Sequence, residues 1–270
     1  MLKVPASDPD EHEKFFRLMR GPTGHDERLV PEVADPGNLA QHLKRYHFAL
    51  PYCRDRLVLD AGAGVGYGPA LLGGYAKKVY AFDYDTEATR YARERFGSDR
   101  VEFLTGDVAV VPFRNDTFDV VVSFEVIEHV PDHERFLGEI CRIMKPTGTL
   151  LVSTPNKVTS GLFRRKAGFT YDAHVSEVGL AEFRRELQAR FASVDLLGMR
   201  TRGNTLYSLV RALDPWNLRL RLASARQIQF ARTTLFSVPW ERVTLDDVVL
   251  SPRHLRQANH FLAVCEGKRS

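Results

Sequence analysis

A Rossmann-like, doubly wound α/β fold is predicted by three observations. β-rich runs alternate with helical spacings through most of the chain. A glycine-rich loop follows the first strong strand. A later strand, Phe118–Phe124, is apolar almost throughout, as a strand buried on both faces must be. The expected sheet is mostly parallel and seven-stranded, with a helical insertion before its last strand.

The elements follow in order. Residues 1–50 form a lead-in rich in charges and turn formers, with a short helix near Glu11–Met19 and a longer one over Leu39–Leu50. Residues 51–199 carry the alternating core. Arg56–Asp60, Lys78–Asp83, Val101–Thr105, Phe118–Phe124, Thr149–Ser153 and Val194–Met199 read as strands. Tyr67–Ala76, Thr86–Phe96, Asp132–Met144 and Val178–Phe191 have helical spacing between them. The stretch 200–257 interrupts the alternation and is too long for a structureless loop inside a domain. Asp214-Pro215 pairs a capping residue with proline at a first helical position, so the insertion is expected to be helical. His260–Glu266, within residues 258–270, closes the sheet.

Composition narrows the function classes. Hydrophobic residues make up 44% and charged residues 27%, a globular balance that excludes disordered and fibrous chains. No apolar run is long enough to span a bilayer. The first ten residues are polar and unlike a secretory signal. Three widely spaced cysteines make neither a disulfide framework nor a zinc ribbon, so a reducing cytoplasm is expected. The net charge of +4 hints at acidic partners. It is concentrated between Arg200 and Leu235, where seven arginines face one acid.

The glycine loop runs from Asp60 through Gly62, Ala63, Gly64 and Gly66 to Gly68. Such a loop turns tightly and lets a ligand approach main-chain N–H groups. The nicotinamide-dinucleotide fingerprint G-x-G-x-x-G needs glycine where Tyr67 stands, which argues against an NAD-linked oxidoreductase. Asp83 ends the next strand, where it can accept both hydroxyls of a ribose or simply cap the following helix. Asp107 and Val108 follow the third strand, where an adenine edge would be met; a plain turn after Gly106 is the competing reading. All three features fall at the carboxyl edge, where open parallel sheets bind ligands.

These runs, with Pro112-Phe113 and Lys145–Gly148, resemble class I S-adenosylmethionine (SAM)-dependent methyltransferases over roughly residues 40–200 and the last strand. The resemblance implies a SAM site drawn from Arg45, Asp60, Gly62, Ala63, Gly64, Gly66, Asp83, Tyr84, Asp107, Val108 and Phe124. The glycine loop would cradle the methionine part, Asp83 the ribose, and Phe124 would lie near the cofactor. Arg45 is the best match for a basic residue meeting the cofactor carboxylate, a solvated helix face being the other reading.

Glu125, Glu128 and His129 follow the fourth strand at spacings of three and four, which on a helical turn share one face. Carboxylates with an imidazole suit Mg²⁺ or a similar divalent ion, and His174 is a fourth candidate ligand. The pattern is similar to ubiquinone-pathway O-methyltransferases and to small-RNA 2′-O-methyltransferases. The alternative is a helix start with a catalytic or packing histidine. Methyl transfer to an alcohol needs the hydroxyl deprotonated, so His129, with Glu128, is the expected base or ligand.

Glu27–Glu32, Gln41–Ala49, Thr154–Asn156 and His174–Glu177 resemble bacterial methyltransferases associated with glycosyltransferases, which implies a small-molecule or oligosaccharide hydroxyl as acceptor. The rivals are RNA 2′-O-methylation, for which the arginine-rich insertion would track a phosphate backbone, and quinone or phenol O-methylation. A non-catalytic SAM-binding subunit is a further class. The insertion also reads as an amphipathic cap with its arginines solvated. The acceptor, the metal requirement and the oligomeric state, a homodimer included, stay open at this level.

Overall fold

A computed structural model describes Leu18 and residues 28–159, 174–202, 242–253 and 255–269. Helix α1 (Pro36–Cys53) starts where the Asp35 carboxylate accepts the Gly37 and Asn38 N–H groups, with proline in its first turn. Strand β1 (Leu57–Ala61) leads through the glycine loop to α2 (Tyr67–Gly73). Then come β2 (Lys78–Asp83), α3 (Thr86–Phe96), capped by Asp85, and β3 (Val101–Thr105). Strand β4 (Phe118–Phe124) is followed by a single 3₁₀ turn (Ile127–His129), α4 (His133–Ile143) and β5 (Met144–Pro155). Helix α5 (Leu180–Arg190), β6 (Phe191–Thr201), β7 (Val248–Ser251) and β8 (His260–Lys268) complete the order.

The sheet has the order β3-β2-β1-β4-β5-β8-β6-β7. Strands β1 to β5 pair in parallel, and β8 is antiparallel to both β5 and β6. Its first seven members are the expected seven strands. The eighth, β7, lies inside the stretch expected to be a helical insertion, and it extends the edge beyond β6. That corrects the strand count; a four-residue edge strand leaves too short an alternation to read. The helical reading of the remaining insertion, and of Glu11–Met19 apart from helical Leu18, falls outside the described residues.

Side chains alternate across the sheet and fill two layers. Leu59, Val121 and Leu150 face α4 and α5, packing with Phe136, Ile140, Phe183 and Leu187. Val58, Val120 and Leu151 face the opposite layer with Tyr46, Ala49, Leu72 and Ala92 from α1, α2 and α3. Each fully buried large apolar side chain contributes on the order of 1.5–3 kcal/mol, so the two layers hold the sheet rigid beneath its loops. Strand order reverses between β1 and β4, which opens a crevice outside their carboxyl ends. The glycine loop forms one wall of that crevice and the Glu125–His129 segment the other.

Candidate functional site

The glycine loop folds as its composition demands. Gly62 has φ of 92°, and its N–H bonds the Phe82 carbonyl at 2.7 Å, tying the loop to β2. A Cβ at Gly62 would lie 2.2 Å from the Val126 side chain, so the two walls touch there. At Gly64, φ is 54° and nothing lies within 4 Å of where a Cβ would stand. The loop therefore presents bare backbone to open space.

Asp83 is buried at the end of β2. Its Oδ2 accepts the Gly64 N–H at 2.7 Å and its Oδ1 the Asp85 N–H at 3.1 Å. Arg28 also reaches it, at 3.4 Å, pairs with Asp85 at 2.9 Å, and lies over the ring of the half-exposed Tyr84. Arg28 escaped the sequence reading, because nothing local in the lead-in marks it as a partner of β2. Asp107 is exposed and accepts the Ala109 N–H, the turn role that competed with adenine binding. Val108 packs at the margin of the core.

Beneath the loop, Asp60 is fully buried, and neither carboxylate oxygen has a hydrogen-bond partner among the described residues. Burial pushes its pKa up to about 7; the nearby Tyr46 hydroxyl opposes the shift and Asp83 adds to it. Arg45 is buried on α1 as well, not solvated, and its Nε and Nη1 have no hydrogen-bond partner among the described residues. Tyr46 packs edge-on against Phe124 and Tyr67, and the Tyr67 hydroxyl meets His42 Nδ1 at 3.0 Å. Burial, with Arg45 beside it, drives the His42 pKa down to about 3, so this ring is neutral.

The Glu125–His129 segment differs from the expected single helical face. Glu125 has φ of 56°, a left-handed conformation that costs a non-glycine residue about 1–3 kcal/mol. The 3₁₀ turn begins only at Ile127. The Glu125 carboxylate meets groups on α1, β5 and β8. Its Oε2 meets Arg45 Nη2 at 3.1 Å and His260 Nδ1 at 2.8 Å, and its Oε1 accepts the Ser153 hydroxyl at 2.7 Å. Burial alone would raise its pKa, but Arg45 and His260 more than offset this and hold the carboxyl below its usual range. Glu125 therefore leaves the candidate metal set.

Glu128, His129 and His174 do come together, with ligand atoms within 4.8 Å of one another and the two rings at right angles, 4.9 Å apart. Glu128 is buried and accepts the Thr154 hydroxyl at 3.2 Å. Burial and then the Glu125 charge push its pKa well up. His174 Nδ1 meets Glu177 at 2.7 Å, which orients the ring. Ser176 clamps this segment to the 3₁₀ turn: its N–H bonds the Glu128 carbonyl, its hydroxyl the Val130 carbonyl and His133 Nε2. His133 Nδ1 in turn meets Glu186 at 3.1 Å.

Comparison with known proteins places the domain. A family model described as a methyltransferase domain matches residues 59–152, which run from β1 to β5 and include both walls of the crevice. Over residues 59–152 the chain is similar to a methyltransferase domain. A Mycobacterium tuberculosis protein named "Probable S-adenosylmethionine-dependent methyltransferase" is 41% identical over 135 residues, 49% of this chain and 48% of its own. A similarly named Mycolicibacterium smegmatis protein is 35% identical over 175 residues, 64% of this chain and 66% of its own. The chain thus spans about half the length of the Mycobacterium tuberculosis relative it matches. Among solved structures, a SAM-dependent methyltransferase of Thermotoga maritima superposes with a TM-score of 0.58 at 16% identity, covering 85% of this chain and 92% of the other. The YcgJ protein of Bacillus subtilis gives 0.55 at 18%, covering 83% and 97%. These likenesses carry the fold of a methyltransferase domain. No helix among the described residues is long and apolar enough to cross a membrane.

Proposed function

We propose that the protein transfers a methyl group from SAM to a hydroxyl of a saccharide or sugar-containing metabolite. The observation that carries the cofactor half is the buried Asp60 carboxyl, neither oxygen of which meets the hydrogen-bond criteria among the described residues, at the foot of bare glycine backbone. Asp60 offers a carboxylate and Arg45 spare guanidinium N–H groups, in a domain similar to proteins named as SAM-dependent methyltransferases. A zwitterionic amino-acid moiety supplies an ammonium for Asp60 and a carboxylate for the Arg45 N–H groups that Glu125 does not take. Asp83 would hold the ribose and Tyr84 would lie beside the base. Bound SAM supplies an already activated methyl, so the chain's own task is to orient the acceptor and dispose of its proton.

The acceptor half rests on the second wall. Glu128, His129 and His174 present an oxygen and two imidazoles to one point, a donor set that suits a divalent cation. When bound there, such an ion supplies Lewis acidity and lowers the hydroxyl pKa. Without it the same groups would hydrogen-bond the acceptor oxygen. The saccharide reading draws on the Gln41–Ala49, Thr154–Asn156 and His174–Glu177 runs and on a wall built of hydrogen-bonding groups. Incubation with SAM and a panel of glucose-, mannose-, galactose- and rhamnose-containing saccharides tests it, with mass spectrometry reading a gain of one methyl. Methylation of RNA or a phenol in parallel arms, with none of any saccharide, would overturn the saccharide assignment.

A further inference from the structure

Strand β8 carries a histidine to the acceptor wall. Because β8 runs antiparallel to β5, its first residue stands at the carboxyl edge of the sheet, with His260 opposite Pro155 on one side and Met199 on the other. There it meets Glu125, which is 135 residues earlier in the chain.

The proton on this pair can be placed. Arg45 and the Ser153 hydroxyl both approach Glu125 as donors, which holds it as a carboxylate, an acceptor only. The 2.8 Å contact therefore requires the proton on His260 Nδ1, and a neutral ring then carries its lone pair on Nε2. Accessibility falls along the row: the His260 side chain is 22% exposed, Glu125 12% and Arg45 1%. The ring is at the open end and the charges lie behind it. An imidazole oriented by a carboxylate at one nitrogen and open at the other is the arrangement of a general base. His42, neutral and half-buried on α1, Arg45, Tyr67 and Glu128 are the other ionisable groups that bear on the row. The strained backbone at Glu125 falls at the residue whose carboxylate meets β8.

We propose that His260 is the catalytic base that takes the acceptor proton, that Glu125 is its positioning residue, and that His129 serves the neighbouring Glu128/His174 cluster instead. This rests on the hydroxyl-methylating reading above. As the oxygen–carbon bond forms and the carbon–sulfur bond breaks, the sulfur keeps the bonding pair and leaves as neutral S-adenosylhomocysteine. The hydroxyl proton moves to His260 Nε2, and the resulting imidazolium returns it to water when the ether product departs.

Two measurements on the full chain test this. In ¹⁵N NMR of histidine-labelled protein, the signal lost in His260→Gln should be that of a ring carrying its proton on Nδ1. Glu125→Gln should shift that ring toward the other tautomer. In single-turnover methyl transfer with the saccharide the wild type methylates, His260→Gln and His260→Asn should slow the chemical step by about 10²–10⁴-fold, with SAM Kd within about twofold of wild type as the control for folding. The lost rate should be partly restored by raising pH or adding imidazole. A wild-type ring protonated at Nε2, or variants that turn over within about threefold of wild type, would overturn the proposal. If the wild type methylates no saccharide, the saccharide reading falls, and the tautomer measurement still decides this one.

Discussion

The Gly64 N–H donates to Asp83 Oδ2 at 2.7 Å, so the loop after β1 and the end of β2 form one unit. Both residues belong to the expected SAM site, and the bond fixes the spacing between the methionine and ribose ends before ligand arrives. Asp83→Ala removes a charged acceptor and unties the loop. Loss of one charge-assisted hydrogen bond is worth about 1.5–3 kcal/mol, so SAM Kd should rise by roughly 10–150-fold in calorimetry. Asp107→Ala, which removes only an exposed turn contact in this structure, should change Kd far less.

Asp60 provides a pH signature. Its pKa lies near 7 in the folded, ligand-free protein, against 3.8 ordinarily. A carboxyl raised by folding is protonated in the native state where the unfolded chain has already lost that proton. Its contribution therefore lowers stability as pH rises from about 4 to about 7. An ammonium group placed beside it favours the carboxylate and expels the proton. SAM affinity should then strengthen by up to roughly tenfold per pH unit as pH rises toward 7, and level off above it. Asp60→Asn should bind SAM weakly and show a flat profile.

The crevice walls were legible in the sequence to different depths. Strands β2, β3 and β4 match their expected spans because apolar runs bounded by turns leave little choice of register. The meeting of His129 with His174 was legible as well, through motif order. Glu125 was misplaced because helical spacing was assumed where the backbone turns left-handed, and a dihedral angle leaves no trace in residue spacing. Arg28, His42 and His260 were passed over for a different reason. Each acts through a partner dozens of residues away, and only the sheet order brings the partners together.

The Glu128/His129/His174 cluster predicts cation binding that is separable from SAM binding. Mn²⁺ titration followed by electron paramagnetic resonance should show one bound ion per chain. His174→Ala and His129→Ala should each weaken it by about 10–100-fold or more, while SAM Kd stays within a few-fold of wild type. Glu125→Gln should leave the ion in place, since that carboxylate serves Arg45 and His260. Equal loss from all three variants would return Glu125 to the ligand set.

His133 should control the same cluster from behind. It joins Glu186 on α5 to Ser176, and Ser176 fastens the His174 segment to the 3₁₀ turn. The hydrogen bond that His133 donates to Glu186 raises its pKa above 6.5, with burial opposing it. A histidine whose pKa is raised on folding stabilises the native state fully below its unfolded value of 6.5. That contribution disappears as pH climbs through the folded value. The clamp should therefore loosen on the alkaline side, and hydrogen exchange at residues 174–178 should quicken there. His133→Gln keeps a donor toward Glu186 but cannot be charged. Exchange in that segment should be fast and independent of this titration, Mn²⁺ should bind more weakly, and SAM affinity should be unchanged. A variant with wild-type exchange at every pH would show that the Ser176 backbone and hydroxyl bonds hold the segment without His133.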